Sequence, residues 1–241
     1  MPTVELFRGY DVVINVAGIA HIKETDENRE LYYEINRDLS VNIAKNAKEA
    51  GVEQYILLSS MSVYGLVTGH ITKDTVPHPI NAYGDSKLQA DNIISNMEND
   101  SFKVVIVRPP MVYGKGCKGN YQTLRKFAIK SPIFPDYKNE RSMIYIGNLC
   151  EFMKCVIDRE DSGLFFPQNR EYVRTSAMVR TVARQHNKAI AMPSVFNIVI
   201  KVTPLTLVKK VFGSLTYEKT ELIGKYNFNE SMELTEGYER N

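Results

Sequence analysis

Three short runs in this chain are apolar almost throughout rather than at alternate positions. Asp11-Val-Val-Ile-Asn-Val16 ends at Ala17-Gly18, Gln54-Tyr-Ile-Leu-Leu-Ser59 ends in hydroxyl residues, and Lys103-Val-Val-Ile-Val-Arg108 is cut off by Pro109 and Pro110. Runs of this kind read as strands buried on both faces, which belong inside parallel sheets. The two prolines cannot extend a central ladder. Between the first two runs, Leu31, Ile35, Leu39, Ile43 and Ala47 recur every four residues. That spacing predicts one apolar stripe of a helix over about Arg29–Ala50, stopped by Gly51. A loop rich in Gly, Thr and Pro from Gly65 to Pro79 precedes a second helix, predicted from about Ala82 to Met97. Strand, helix, strand, helix, strand is the grammar of a doubly wound sheet, in which ligands bind beyond the carboxyl ends of the strands.

After Pro110 the pattern turns irregular, with Gly114, Gly116 and Gly119 and short helices near Gln122–Lys130, Ile146–Ile157 and Ser176–His186. These pieces read as a discontinuous cap. The expected division is residues 1–110, with parts of 140–175, as a partial dinucleotide-binding core. Residues 111–139 and 176–241 form the substrate-binding cap. The apolar stretch Val195–Leu215 is broken by Asn197, Lys201, Pro204, Lys209 and Lys210, so it falls short of a membrane span. It reads as a helical lid or core segment.

Composition narrows the class. Of 241 residues, 44% are hydrophobic and 24% charged, which fits a globular protein. A net charge of +2, with no basic block longer than two residues, argues against nucleic acid as a partner. Cys117, Cys150 and Cys155 form neither a disulfide framework nor a zinc-ligand pattern, so no metal is expected. Met1–Tyr10 holds Glu5 and Arg8 and no apolar run, unlike a signal peptide, and a reducing cytoplasm is the expected location.

The candidate chemistry starts from Tyr83-Gly-Asp-Ser-Lys87. Tyr and Lys at i and i+4 share a helix face, and an ammonium near a phenol favours the phenolate, as a tyrosine acid/base requires. Alone the pair is a weak signal. It gains weight from Ser59-Ser60-Met-Ser-Val-Tyr64-Gly65 at the end of a buried strand, where a hydroxyl can hold the same substrate oxygen whose proton the tyrosine moves. Hydride can then pass between that carbon and a nicotinamide.

The S-S-x-x-V-Y-G and Y-x-x-x-K motifs resemble those of the extended short-chain dehydrogenase/reductases, of the NAD-dependent epimerase/dehydratase, UDP-sugar 4-epimerase-like type. The resemblance covers nearly the whole chain. It implies Ser60, Tyr83 and Lys87 as catalytic residues, with Lys87 also holding the nicotinamide ribose. It further implies Ala17, Gly18, Asn36, Ser59 and Pro109 on the cofactor, which would be NAD or NADP. Arg108-Pro-Pro-Met-Val-Tyr-Gly114, Gly116-Cys-Lys-Gly-Asn120 and Arg141-Ser-Met-Ile-Tyr-Ile-Gly-Asn148 look like the family's substrate-facing segments. They imply Met111, Asn120 and Arg141 around a nucleotide-sugar, the guanidinium pairing with its diphosphate. Asn148 stands where many relatives have Asp. Phe212-Gly-Ser-Leu and Tyr226-Asn-Phe-Asn resemble the tail of the polysaccharide-pathway branch, so the carboxyl end is expected to be complete.

The family opens with a strand, a Gly-rich turn and a helix that bind the pyrophosphate, and no G-x-G-x-x-G precedes Asp11. The expectation is therefore a truncated, Rossmann-like doubly wound parallel sheet beginning at the family's fourth strand. On the order of 60 residues, three strands and two helices, would be absent. Asp11–Val16 becomes an exposed apolar edge, and dinucleotide affinity falls. The functional expectation is an NAD(P)-dependent epimerase or ketoreductase of nucleotide-linked sugars, inactive as this chain if the phosphate-binding segment is needed. The alternative is a non-catalytic relative that binds a sugar nucleotide or only assembles. Val195–Leu215 hints at a third, a reductase working near the membrane on a lipid-linked sugar. A homodimer through the helices around Asn36–Ala50 and Ala82–Met97 is implied by the resemblance.

Overall fold

The three apolar runs are strands, and a fourth, too short to announce itself in the sequence, joins them. The protein's structure, a computed structural model, describes residues 1–20, 22–219 and 224–237. In chain order, β1 (Val12–Asn15), helix α1 (Arg29–Tyr32), a π-helical segment (Tyr33–Leu39) and α2 (Ser40–Glu49) lead to β2 (Gln54–Leu58). Next come β3 (Gly69–Ile71), α3 (Ala82–Ser95), β4 (Lys103–Val107), β5 (Met111–Tyr113) and α4 (Asn120–Lys130). The rest is β6 (Met143–Tyr145), α5 (Ile146–Asp158), β7 (Gly163–Phe165), α6 (Thr175–Gln185), α7 (Asn197–Val202), α8 (Thr206–Phe212), β8 (Leu215–Tyr217) and α9 (Phe228–Glu236).

The chain divides into two units. The first holds Met1–Leu66, Thr75–Pro109 and Phe152–Pro167. Its sheet runs β1-β2-β4-β7, all parallel, with Val12 opposite Gln54 and Leu58 opposite Val107. Tyr55, Ile56 and Leu57 are fully buried, each worth about 1.5–3 kcal/mol of gross transfer free energy. Ala44 and Ala47 of α2, Ala90 and Ile94 of α3, and Phe102 pack on one face of this sheet. The small alanines let both helices sit close against it. β1 is the sheet's edge, with Ile14 44% and Val16 67% exposed.

The helix over 29–50 forms, but its buried line is one residue away from the predicted apolar stripe. Tyr32, Asn36, Ser40, Ala44 and Ala47 are buried, whereas Leu31 is exposed and Ile35, Leu39 and Ile43 are half-buried. The cause lies in what this face must touch. Asn36 bonds the β1–α1 loop and Ser40 offers its carbonyl to the Tyr55 hydroxyl at 3.1 Å, so polar side chains and backbone take the inner line.

The second unit holds Val67–Asp74, Pro110–Glu151 and Gln168–Asn241. It contains two small parallel pairs, β3 with β8 and β5 with β6. The Gly65–Pro79 segment, expected to be loop throughout, thus contributes a strand. Its partner Leu215–Tyr217 lies far away in sequence, beyond the reach of local pattern. Tyr113, Tyr121, Met143, Met178, Val182 and Met232 form the core of this unit. Asn148, fully buried, donates to Asn169 Oδ1 and to the Tyr226 carbonyl, both at 2.8 Å, and accepts from Tyr226 N at 2.9 Å. It pins the chain around Tyr226 in place, a structural task. The Val195–Leu215 stretch is helical in two short pieces, α7 and α8; Ile198, Val202 and Leu207 are 75%, 73% and 74% exposed, whereas Val211 and Phe212 pack on the core. Among the described residues no helix is long and apolar enough to cross a membrane.

Candidate functional site

The carboxyl ends of β1, β2 and β4 carry the predicted chemistry of the first unit. At the end of β1, Asn15 donates to the Tyr55 hydroxyl at 2.8 Å and accepts from Ala17 N at 2.9 Å, which sets the turn into Gly18. Asn36 Oδ1 then accepts from Ile19 N at 2.8 Å, and its amide donates to Ile19 O and Ser86 Oγ, both at 3.2 Å. One side chain thereby ties the loop after β1 to α3. Gly18 is required by closeness: a Cβ there would lie 2.9 Å from Asn36 Oδ1 and 3.1 Å from Lys87 Nζ.

At the end of β2, Ser59 N donates to Val107 O at 2.7 Å and Met61 N to Pro109 O at 3.0 Å, so the strand end and the buried Pro109 run side by side. Ser60 leaves the strand extended and accepts from Ser62 N at 3.1 Å, which caps the 3-10 turn Met61–Tyr64. Helix α3 begins under two caps, Asn81 Oδ1 accepting from Gly84 N at 2.8 Å and Glu24 Oε2 from Ala82 N at 2.9 Å. Its first turn presses on the Ser62 segment: a Cβ on Gly84 would come within 2.6 Å of Ser62 O. That approach brings the half-buried Tyr83 phenol to Ser60. Burial pushes the phenol above its ordinary value, and interaction with the Ser60 hydroxyl works the other way.

Lys87, 5% exposed, donates to the Leu58 carbonyl at 2.9 Å. Burial lowers its affinity for a proton, and the charge of Asp91 partly restores it. The expected lowering of Tyr83 by Lys87 is not what the structure gives. The ammonium is directed to the strand end and to Gly18, and desolvation dominates at the phenol.

Ser59, read as a cofactor contact, is buried and donates its hydroxyl to Asp91 Oδ2 at 2.8 Å. Arg108 Nε donates to the same oxygen at 2.9 Å and its NH1 to the Tyr64 hydroxyl at 2.8 Å. Burial raises Asp91 to about 6, against the opposing pull of Arg108 and Ser59. Sequence reasoning missed Asp91 and Gly84. The signal for Asp91 was its place four residues after Lys87 and eight after Tyr83, on the same helix face.

Ser60, Tyr83, Lys87, Ala17, Gly18, Asn36, Ser59 and Pro109 therefore gather in one unit. Met111, Asn120 and Arg141 belong to the other. Met111 packs half-buried against that unit's core, and Asn120 is exposed at the start of α4. Arg141 donates to Gly213 O at 2.8 Å, and burial lowers its pKa; among the described residues no carboxylate pairs with it.

The parallel sheet of the first unit thus carries a serine, a tyrosine and a buried lysine at its carboxyl edge. The chain belongs to the NAD dependent epimerase/dehydratase family, whose model matches residues 3–173. It is 33% identical over 183 residues to a UDP-glucose 4-epimerase of Vibrio cholerae, covering 71% of this chain and 56% of the relative. It is 30% identical over 190 residues to an N-acetyl-alpha-D-glucosaminyl-diphospho-ditrans,octacis-undecaprenol 4-epimerase of Escherichia coli O157:H7, covering 76% and 56%. The chain thus spans 56% of the length of each of these relatives. The fold matches a UDP-glucuronic acid 4-epimerase of Bacillus cereus, solved with NAD, at a TM-score of 0.77 and 17% identity over 99% of this chain and 75% of that one.

Proposed function

We propose that this chain carries the proton-handling half of an NAD(P)-dependent epimerase or ketoreductase acting on nucleotide-linked sugars. The observation that carries the reading is the gathering of Ser60 at the end of β2, Tyr83 in the first turn of α3 and the buried Lys87, whose Nζ donates to Leu58 O and lies at Gly18. The residues present fit the nicotinamide end of a dinucleotide. Gly18, bare of a Cβ, lets the loop close on Asn36 Oδ1 and Lys87 Nζ, and Lys87 Nζ keeps N–H groups beyond the one given to Leu58, a cradle suited to ribose hydroxyls. Ala17, Asn36 and Pro109 would shape that cradle, and Ser59 would support it from beneath through Asp91. When bound, the nicotinamide supplies a hydride acceptor or donor for a sugar carbon.

The chain's own residues then move one proton. Burial keeps it on Tyr83 at neutral pH, so the phenol is set to donate to a carbonyl oxygen and, in the reverse direction, to recover the proton from the hydroxyl. Ser60 holds that oxygen by a hydrogen bond. Arg141, a half-buried cation that no carboxylate pairs with among the described residues, is suited to a diphosphate, and Met111 and Asn120 to the sugar-nucleotide's flanks. We assign the working form to a cytoplasmic homodimer paired through 36–50 and 82–97.

The test is calorimetry of the full chain with NAD, NADP and UDP-sugars, together with turnover. We expect dinucleotide binding that survives Tyr83→Phe and turnover that drops by at least about 100-fold. Undiminished turnover in Tyr83→Phe rejects the assignment. Sugar-nucleotide binding without dinucleotide binding favours the non-catalytic alternative.

A further inference from the structure

Helices α7 and α8 turn aliphatic side chains outward. Val195, Ile198, Val199, Val202, Leu205 and Leu207 are each between 61% and 75% exposed. The hairpin is nevertheless anchored. Phe212 stacks 5.5 Å from Phe134 and 5.9 Å from Tyr137, Val211 packs on the core of the second unit, and Asn197 Nδ2 donates to Asp136 O at 2.9 Å. Asn197, Val211 and Phe212 are held, while Ile198, Val199 and Val202, spaced for one face of α7, stay open together with Val195, Leu205 and Leu207, an apolar exposure of a kind that marks an interaction site.

Charge decides what that surface fits. Acidic and basic residues nearly balance in the whole chain, 28 against 30, yet no Asp or Glu occurs between Glu171 and Glu218. Lys201, Lys209 and Lys210 are exposed within the hairpin itself. An open recess of about 240 Å³ beside it is lined by Lys138, Lys201 and Lys209 together with Thr68, Tyr137 and Ser214, and among the described residues by no carboxylate. Protein-binding hot spots favour Trp, Tyr and Arg, whereas aliphatic side chains bordered by lysines are the pattern of helices that lie in a lipid interface.

We infer that the α7–α8 hairpin is a membrane-interface element docking on an anionic phospholipid bilayer. The aliphatic side chains enter the boundary between headgroups and acyl chains, and Lys138, Lys201 and Lys209 hold a lipid phosphate in the recess. None of these residues belongs to the Ser60–Tyr83–Lys87 site, so this inference stands apart from the proposed chemistry.

The test is sedimentation of the full chain with vesicles of phosphatidylcholine alone or with one quarter phosphatidylglycerol, at low salt and at about 0.5 M salt. Pelleting with the anionic vesicles, weakened by salt and weak with phosphatidylcholine alone, is expected. Lys201→Glu and Lys209→Glu should each weaken binding on the order of fivefold. The exposed pair Ile198→Ser with Leu207→Ser should abolish it with the circular dichroism unchanged, and Tyr83→Phe should leave it intact. Absence of pelleting, equal pelleting with both vesicle types, or indifference to the hairpin variants overturns the inference. So does light scattering that shows a dimer dependent on Ile198 and Leu207 in place of vesicle binding, which assigns the face to a second copy.

Discussion

Lys87 Nζ donates to the carbonyl of Leu58 at 2.9 Å, the last residue of the strand that leads directly into Ser59 and Ser60. The lysine is thereby fixed to the strand end and not to the phenol one turn before it, although the helix spacing permits either. Its Nζ lies at Gly18 and the strand end, while burial, Ser60, Asp91 and Tyr32 are what act on the Tyr83 phenol.

This arrangement makes Lys87→Met informative. The substitution removes one hydrogen bond, worth about 1 kcal/mol, and also removes a buried ammonium whose solvation cost is of similar or larger size. Thermal unfolding should show an unchanged or raised midpoint, while dinucleotide affinity, read by calorimetry, falls by at least about 10-fold. A large loss of stability would show that the lysine is structural.

Gly18→Ala sets a Cβ 2.9 Å from Asn36 Oδ1, so the amide must turn away and release Ile19 N. Urea unfolding should give a loss of about 1 kcal/mol, the cost of a half-buried donor left without its partner. Asn36→Ala should show a loss of the same size. The double variant should lose less than the sum, because both act on one hydrogen bond.

Gly84→Ala tests the helix approach by its sign. In an unconstrained helix the change would stabilise by about 1 kcal/mol. Here the new Cβ meets Ser62 O at 2.6 Å and Pro79 Cβ at 3.2 Å, so α3 has to shift. We expect a net loss of about 1–3 kcal/mol in urea unfolding, with a change in the Tyr83 phenol titration followed by ultraviolet absorbance. Stabilisation would refute the close contact.

Two buried carboxyls titrate with opposite consequences. Asp91 is raised from 3.8 to about 6, so the folded chain binds its proton more tightly than the unfolded one; its contribution to stability falls as pH rises through that window. Against Asp91→Asn, the unmutated chain should lose on the order of 1–3 kcal/mol between these two values. Glu236 behaves in reverse. Burial alone would raise it, but hydrogen bonds from Tyr121, His186 and Arg125 outweigh burial and hold it below 4.5. Its contribution is present above 4.5 and is lost as pH falls below, a loss that Glu236→Gln should blunt. Unfolding midpoints across pH for the three proteins check both signs.

The sequence was most legible where structure is local and uniform. Continuous apolar runs gave β1, β2 and β4, and the Tyr83–Lys87 spacing gave a helix face, because neither depends on distant residues. What escaped depends on partners. β7, with the pattern Gly-Leu-Phe, is a strand because Val105–Val107 lie beside it, and β3 because Leu215–Tyr217 do. The stripe held at Ala47 but misled by one position over 31–43 because hydrophobicity tracks solvent, whereas Asn36 and Ser40 are buried for the bonds they make. Likewise the direction of Lys87 and the raised phenol follow from burial, which spacing does not encode.

The π-helical turn at Tyr33–Leu39 bears on how this chain tolerates change in length. Such a turn holds one residue more than the regular coil on either side of it. Deleting a single residue there would let the segment relax into an ordinary α-helix with the faces on either side still in phase, whereas the same deletion in the first turn of α2, where the coil is regular, would rotate every later side chain by about 100° relative to those before. Tyr32 and Asn36 on one side, and Ala44 and Ala47 on the other, could not then all face inward. The π-helical turn takes up the extra residue and so keeps the face that grips the β1 loop in line with the face that lies on the sheet.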